Sequence, residues 1–280
     1  MANVSRDRVN QILMHIKEAQ LGDLERFRHH LKWTVPLTCM HLGVDRSTAY
    51  RRLNSLLKMG LLDRQQRSRP QTGGSRADLY YLTDLGAAVL SKHLQLGSSY
   101  ITAPSISCAD TNDHDLLILE VAIRLGAWDE IRHRQRMVVE MYQWGSVASA
   151  AGSVDIKLTA TGEHFRLVPD LALPEASDGR DLYIEVEQTP KWQHIRNKYQ
   201  RYEQLGYSYR ALRRPPPWLY VIFGNQGQEA ALAPMHQRAL SDYGRVYLFS
   251  AGCTNADAIR RAEVDSVQAL SRIVRPFDIA

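Results

Sequence analysis

Three carboxylates in the second half of the chain stand where apolar side chains would be expected. Asp170 follows Pro169 inside Leu167-Val168-Pro169-Asp170-Leu171-Ala172-Leu173, and Glu185 and Glu187 flank Val186 in an otherwise apolar run from Leu182. In a strand, residues i and i+2 point to one face, so both glutamates project together. Two like charges on a partly buried face repel unless a cation or a basic group lies between them. With Asp170 from the neighbouring hairpin there are three hard oxygen donors, a set that suits Mg²⁺ or Mn²⁺. A plainer arrangement is also open: Asp170 caps a turn, and Glu185 and Glu187 pair with Arg196, Lys198 or Arg201.

A second chemistry lies in the first third. Between Arg46 and Arg76 there are eight Lys/Arg (Arg46, Arg51, Arg52, Lys58, Arg64, Arg67, Arg69, Arg76) and one acid, Asp63. Residues 1–100 hold 15 Lys/Arg and 8 Asp/Glu, a net of +7, and the other 180 residues hold 20 and 22, a net of −2. The basic character therefore belongs to a module and not to the whole chain. Basic charge placed this way is a phosphate-binding footprint, and the expected partner is double-stranded DNA.

The elements that must carry these residues can be read in order. Val9, Ile12, Leu13 and Ile16 recur at helical spacing over about 5–18, and a second helix is expected over 23–31. Val35–Leu42 is a short helix closed by Gly43, and Asp45 can cap the next one, whose apolar stripe is Ala49, Leu53, Leu56 and Leu57. Its other face carries Arg46, Ser47, Thr48, Tyr50, Arg51, Arg52 and Asn54, where a helix-turn-helix meets base edges. Arg46 and Arg51 could read guanine or grip phosphate, and the sequence does not separate the two.

A strand from Gly60, a hairpin tip at Gly73-Gly74 and a return through Leu79–Thr83 complete a winged helix, with Arg64, Arg67, Arg69 and Arg76 on the wing. Thr83 or Asp84 then caps a helix through Leu90. Tyr80 and Tyr81 are expected to pack within the strand. Over residues 8–96 this pattern resembles the winged-helix DNA-binding domains of bacterial regulators.

Residues 97–113, small, polar and proline-bearing, read as a connection between a domain at 1–96 and another at 114–280. In the second domain a helix is expected over His114–Gly126. Strands are expected at Met137–Met141, Val154–Leu158, Phe165–Val168, Leu171–Leu173, Leu182–Val186, Trp218–Phe223 and Val246–Phe249, and helices near 190–206, 227–241 and 255–272. A helix, a meander, then alternating helices and strands argue a mixed α/β sheet, and an α+β chain overall.

Composition narrows the class further. The chain has 280 residues and is 44% hydrophobic, enough for a sizeable core. No run of about 18 apolar residues argues for a membrane span. Three well-separated cysteines, Cys39, Cys108 and Cys253, suit a reducing cytoplasm and form neither a zinc pattern nor a disulfide framework. Winged helices often bind palindromes as homodimers, but no apolar stripe here identifies a dimer surface.

The order Pro169-Asp170, a short hairpin, Glu185-Val186-Glu187-Gln188-Thr189, then Lys198 and Tyr202 on a helix resembles the replication-relaxation family of plasmid-associated proteins. Tyr80-Tyr81-Leu82-Thr83-Asp84-Leu85-Gly86 is similar to that family's wing, and His114-Asp115 to the start of its next helix. The resemblance covers most of the chain up to about Phe223. It implies a winged helix joined to a domain similar to the PD-(D/E)xK nucleases. There, Asp170 and Glu185 would ligate a metal, with Glu120 as an outer acid, and Mg²⁺ would activate a water. One departure stands out: the lysine expected two residues after Glu185 is Glu187. Lys198, or Lys191, would supply a displaced lysine, making Asp170, Glu185, Glu187 and Lys198 the candidate catalytic group.

Three functions follow as expectations. The first is a DNA-binding regulator or accessory factor in replication or transfer of plasmid and mobile-element DNA. The second is a metal-dependent endonuclease targeted by the winged helix, and the third a ligand-sensing transcriptional regulator.

Overall fold

Local signals near the N-terminus act over short stretches. Helix α1, Arg6–His15, stops one turn earlier than its apolar period suggests, because Ile16 turns extended (ψ 135°) and is buried. Gln20 Oε1 then accepts the Lys17 N–H at 3.0 Å and starts α2, Glu18–Glu25. The expected helices at 5–18 and 23–31 are thus corrected to 6–15 and 18–25: the capping side chain, not the periodicity, sets the break.

The chain is an α+β protein, described in a computed structural model over residues 4–27, 32–66, 77–96, 101, 109–125, 144–148, 154–158, 164–167, 169–173, 182–188, 190–211, 217–243, 251–261 and 275–276. It divides into two units, Met1–Leu116 and Leu117–Ala280.

In the first unit, Thr34 caps α3 (Val35–Leu42) by accepting the Leu37 N–H, and Gly43 ends it in the left-handed region at φ 62°. Only glycine takes that conformation without a Cβ penalty. Asp45 caps α4 (Arg46–Lys58), accepting the Thr48 N–H at 3.0 Å, and Ala49, Leu53 and Leu56 bury one side of it. Strands β1 (Leu62–Gln65) and β2 (Leu79–Leu82) pair antiparallel from Leu62↔Leu82 to Gln65↔Leu79. Trp33 exchanges both backbone hydrogen bonds with Tyr80, at 2.9 and 2.8 Å, so the chain before α3 lies along β2. Helix α5 is Asp84–His93, and between Thr83 and Asp84 it is Thr83 that caps it. Tyr80 and Tyr81 are buried, as strand packing requires. The hairpin tip at Gly73-Gly74 lies outside the described residues.

Asp23, only 4% exposed, ties α2 to α4. It accepts both Arg52 Nε and Nη2, at 2.8 and 2.6 Å, and Arg26 Nη1 at 2.6 Å.

Helix α6, Ala109–Arg124, begins five residues before the expected His114, so helix takes up the end of the expected connection. The strand expected at Met137–Met141 falls outside the described residues. A three-stranded antiparallel sheet is formed by β3 (Trp144–Ala148), β4 (Val154–Leu158) and β5 (His164–Leu167).

The larger sheet has the order β10-β9-β8-β7-β6 and is mixed, as expected. Its strands are β6 (Leu171–Leu173), β7 (Leu182–Glu187), β8 (Trp218–Phe223), β9 (Ala251–Asn255) and β10 (Arg275–Pro276). β7, β8 and β9 run parallel, and β6 and β10 close the edges antiparallel. Helices α7 (Trp192–Ala211) and α8 (Gln226–Tyr243) make the crossovers, and α9 (Ala256–Arg261) follows β9. The expected strand at Val246–Phe249 lies outside the described residues, as does everything of the last expected helix beyond Arg261.

Strand alternation decides what faces these helices. Tyr183, Leu219, Val221 and Phe223 pack with Ile195, Tyr199, Tyr202 and Leu205 of α7 and Leu232, Ala239 and Leu240 of α8. Glu185 and Glu187 share the Tyr183 side of β7 and so enter the same helix-covered layer. β7 is buried along its whole length.

Candidate functional site

The carboxylates at β7 are brought together, and a lysine stands between them. Lys198, on α7, places Nζ 2.7 Å from Glu185 Oε2 and bonds Glu187 Oε1 as well. One turn on, the Tyr202 hydroxyl donates to Glu185 Oε1. The four-residue spacing puts both donors on one face of α7, above the i, i+2 pair of the strand. Asp170 Oδ2 accepts the Val186 N–H at 2.7 Å, pinning the turn into β6 against β7. Both readings of these residues thus converge on one place, with Lys198 as the cation, while Arg196 instead meets the Tyr243 hydroxyl. Lys191 lies exposed ahead of α7.

Burial governs the charges. It pushes the Glu185 carboxyl up to about 7, against the pull of Lys198 and Tyr202 and with help from Asp170. Burial alone would pull the Lys198 ammonium down, but Glu185, Glu187 and Asp170 outweigh it and hold it above its ordinary value. Burial, reinforced by Glu185, also drives the Tyr202 phenol well up, so it remains a donor.

Two opposed pH effects follow. Glu185 takes up its proton near 7 when folded and nearer 4.3, the ordinary glutamate value, when unfolded. Its stabilising contribution is full below about 4.3 and is lost as pH rises through about 7. His236 works the other way. Fully buried between Tyr199 and Phe223, it is pushed down to about 3 by burial and then by Lys198. Its contribution is present above about 6.5 and is lost as pH falls through about 3. Glu185→Gln keeps His236 and removes only the first effect. The wild type is therefore expected to lose stability relative to Glu185→Gln as pH rises from about 4.3 to about 7, read as urea midpoints. A difference flat across that window would contradict this.

The donor set as arranged does not fit a divalent cation. Both Glu185 oxygens and one from each of Glu187 and Asp170 already hold hydrogen bonds, and an ammonium sits between the glutamates. Among the described residues there is no group of three or more His, Cys, Asp or Glu able to hold a metal ion. Glu120 has basic partners of its own on α6 and α9. It is gripped by Arg260 at 2.7 and 2.9 Å and by Arg124 at 3.1 Å. Burial would raise its carboxyl, but these two guanidinia hold it below the usual range.

The second candidate surface is α4. Ser47, Tyr50, Arg51, Asn54 and Lys58 repeat at i, i+3, i+4, i+7 and i+11, opposite Ala49, Leu53 and Leu56. Arg46, Ser47, Tyr50, Arg51 and Lys58 are exposed, Tyr50 to 45%. Thr48 is half-buried and belongs to the cap. Arg52 is turned into the scaffold on Asp23, a role that nothing local in the sequence announces because Asp23 lies 29 residues away. Arg64, exposed on β1, bonds Tyr80, which raises its already high pKa, and comes within 3.7 Å of Asp78. Arg67, Arg69 and Arg76 lie outside the described residues.

These features define an α+β protein with a basic, polar helix face in one unit and a lysine-bridged acidic cluster in the other. The family model described as replication-relaxation matches residues 34–214, about two thirds of the chain, and the protein belongs to that family. Comparison with curated proteins and with solved structures returned no match. Among the described residues no helix is long and apolar enough to cross a membrane.

Proposed function

We propose that this protein binds double-stranded DNA through its first unit and serves replication or transfer of plasmid and mobile-element DNA in the cytoplasm. On this reading α3 and α4 are a helix-turn-helix, α4 is the recognition helix, and β1 and β2 are the stem of a basic wing. The observation that carries it is the outward stripe of exposed Ser47, Tyr50, Arg51 and Lys58 with half-buried Asn54, on a rigidly capped, well-buried helix. Its residue types are those that contact phosphates and base edges. The family membership supports the same direction.

The reading is tested by titrating labelled duplex DNA at several salt concentrations. Log affinity should fall linearly with log salt, and Lys58→Ala should flatten the slope by about one counterion. Salt-independent binding, or none, would remove the proposal.

For the second unit we infer a nuclease-like scaffold whose acidic cluster is closed by Lys198 and serves structure. Supercoiled plasmid incubated with the protein and Mg²⁺ or Mn²⁺ should remain supercoiled. Nicking that disappears with EDTA and in the Asp170→Ala/Glu185→Ala variant would establish an endonuclease instead.

A further inference from the structure

The two exposed arginines of α4, Arg46 and Arg51, are held differently. Arg51 Nη2 donates to Thr48 Oγ1 at 3.1 Å, and Thr48 Oγ1 donates to Asp45 Oδ2 at 2.7 Å. Asp45 Oδ1 in turn accepts the Thr48 N–H at 3.0 Å and the Ser47 hydroxyl. A relay therefore runs from the helix cap to the guanidinium. It uses one of the five donors of the Arg51 side chain and leaves the rest available. Arg46 is also exposed, but its side chain has no hydrogen bond or ion pair among the described residues.

This difference separates two kinds of DNA contact. Guanine presents O6 and N7 to a planar, bidentate approach, which rewards a guanidinium already fixed in place. Phosphate accepts charge from many directions and carries no base identity, so a loosely held arginine suffices. Arg51 also lies centrally on the outward stripe, directly opposite the buried side of α4, whereas Arg46, the first residue of the helix, lies roughly 140° round it, towards Leu53.

We propose that Arg51 reads a guanine, that Thr48 is the positioning residue that holds it in register, and that Arg46 contacts phosphate. This rests on the DNA-binding reading above. Thr48→Val isolates the relay: it keeps the β-branched shape and the N–H that Asp45 accepts, and removes only the hydroxyl. Thr48→Ser restores that hydroxyl.

The test is selection of binding sites from a randomised duplex pool by the full-length protein, followed by sequencing. The wild type should enrich a motif with at least one fixed G·C pair. Arg51→Ala should lose that position alone, its discrimination falling roughly tenfold or more. Thr48→Val should weaken the same position, and Thr48→Ser should retain it. Arg46→Ala should return the wild-type motif with lower overall affinity and a flatter salt dependence. The proposal is overturned if Arg51→Ala returns the motif intact, if Thr48→Val and Thr48→Ser behave alike, or if the wild type binds the pool and enriches nothing. A wild type that does not retain the unselected pool at all removes the DNA-binding reading itself, which distinguishes the two failures.

Discussion

Lys198→Met is expected to destabilise the second unit by roughly 3–5 kcal/mol at neutral pH, because it leaves buried carboxylates without their cation. Glu185 and Glu187 are 3% and 4% exposed, and the substitution removes the charge from between them while leaving most of the volume. Glu185 and Glu187 would then escape like-charge repulsion by proton uptake, and Glu185, already raised to about 7 beside the ammonium, takes up its proton at neutral pH, where the Tyr202 hydroxyl still bonds it. The deficit should shrink as pH falls, since the orphaned carboxylates can take up protons and the folded state would bind more of them than the unfolded. Adding Glu185→Gln and Glu187→Gln to Lys198→Met should recover much of the loss, as neutral groups cost far less to bury. Urea unfolding followed by the fluorescence of Trp192 and Trp218 reads this directly. Equal stability of wild type and Lys198→Met would mean that the ammonium is not what balances the cluster.

Gly86→Ala is expected to cost the first unit roughly 3 kcal/mol or more. A Cβ at Gly86 would clash with the Leu61 carbonyl oxygen, far closer than real Cβ contacts come. That carbonyl cannot retreat easily, because it accepts the Thr83 N–H at 3.1 Å and shares the single Thr83 hydroxyl proton, at 3.2 Å, with the nearer Gly60 carbonyl. The same hydroxyl donates to the Gly60 carbonyl and accepts the Gly86 N–H, so α5 is locked to the turn before β1 at one point. Gly22 is the matched control. It lies within α2 with nothing within 4 Å of an added Cβ, and alanine there should stabilise by about 0.5–1 kcal/mol. Thermal unfolding of the two variants should shift in opposite directions. A neutral Gly86→Ala would show that this contact can relax.

What the sequence disclosed and what it hid divide along the range of the interactions. Gly43, Asp45 and Thr83 announce their helix ends because capping acts within three or four residues. The strands at 182–187 and 218–223 are apolar enough to be read as buried, and the same-face placement of Glu185 and Glu187 follows from strand geometry alone. By contrast, the Trp33–Tyr80 bridge and the Asp23–Arg52 pair join residues 47 and 29 apart, and no local pattern reports either. Strand β9, Ala-Gly-Cys-Thr-Asn, has little strand character of its own and is fixed by parallel pairing to β8.

The acidic cluster shows the limit most sharply. Residue types alone admit a divalent cation or a basic side chain between the glutamates, since both satisfy the same electrostatics. Choosing between them depends on where α7 delivers Lys198, a tertiary fact. Glu120, the outer acid the resemblance implies, is bonded by Arg260, 140 residues away, a partner that no local pattern reports.

The central claim is that α4 of the first unit carries DNA binding. It is tested most directly by fluorescence anisotropy of a labelled duplex titrated with the full-length protein and with Arg46→Glu/Arg51→Glu, each checked by thermal unfolding. Both side chains are exposed and their reversal leaves Ala49, Leu53 and Leu56 packed, so the melting temperature should hold. Affinity should fall about a hundredfold or more, as expected for two lost contacts replaced by repulsion from phosphate. A folded double variant that binds duplex DNA as tightly as the wild type would contradict the account.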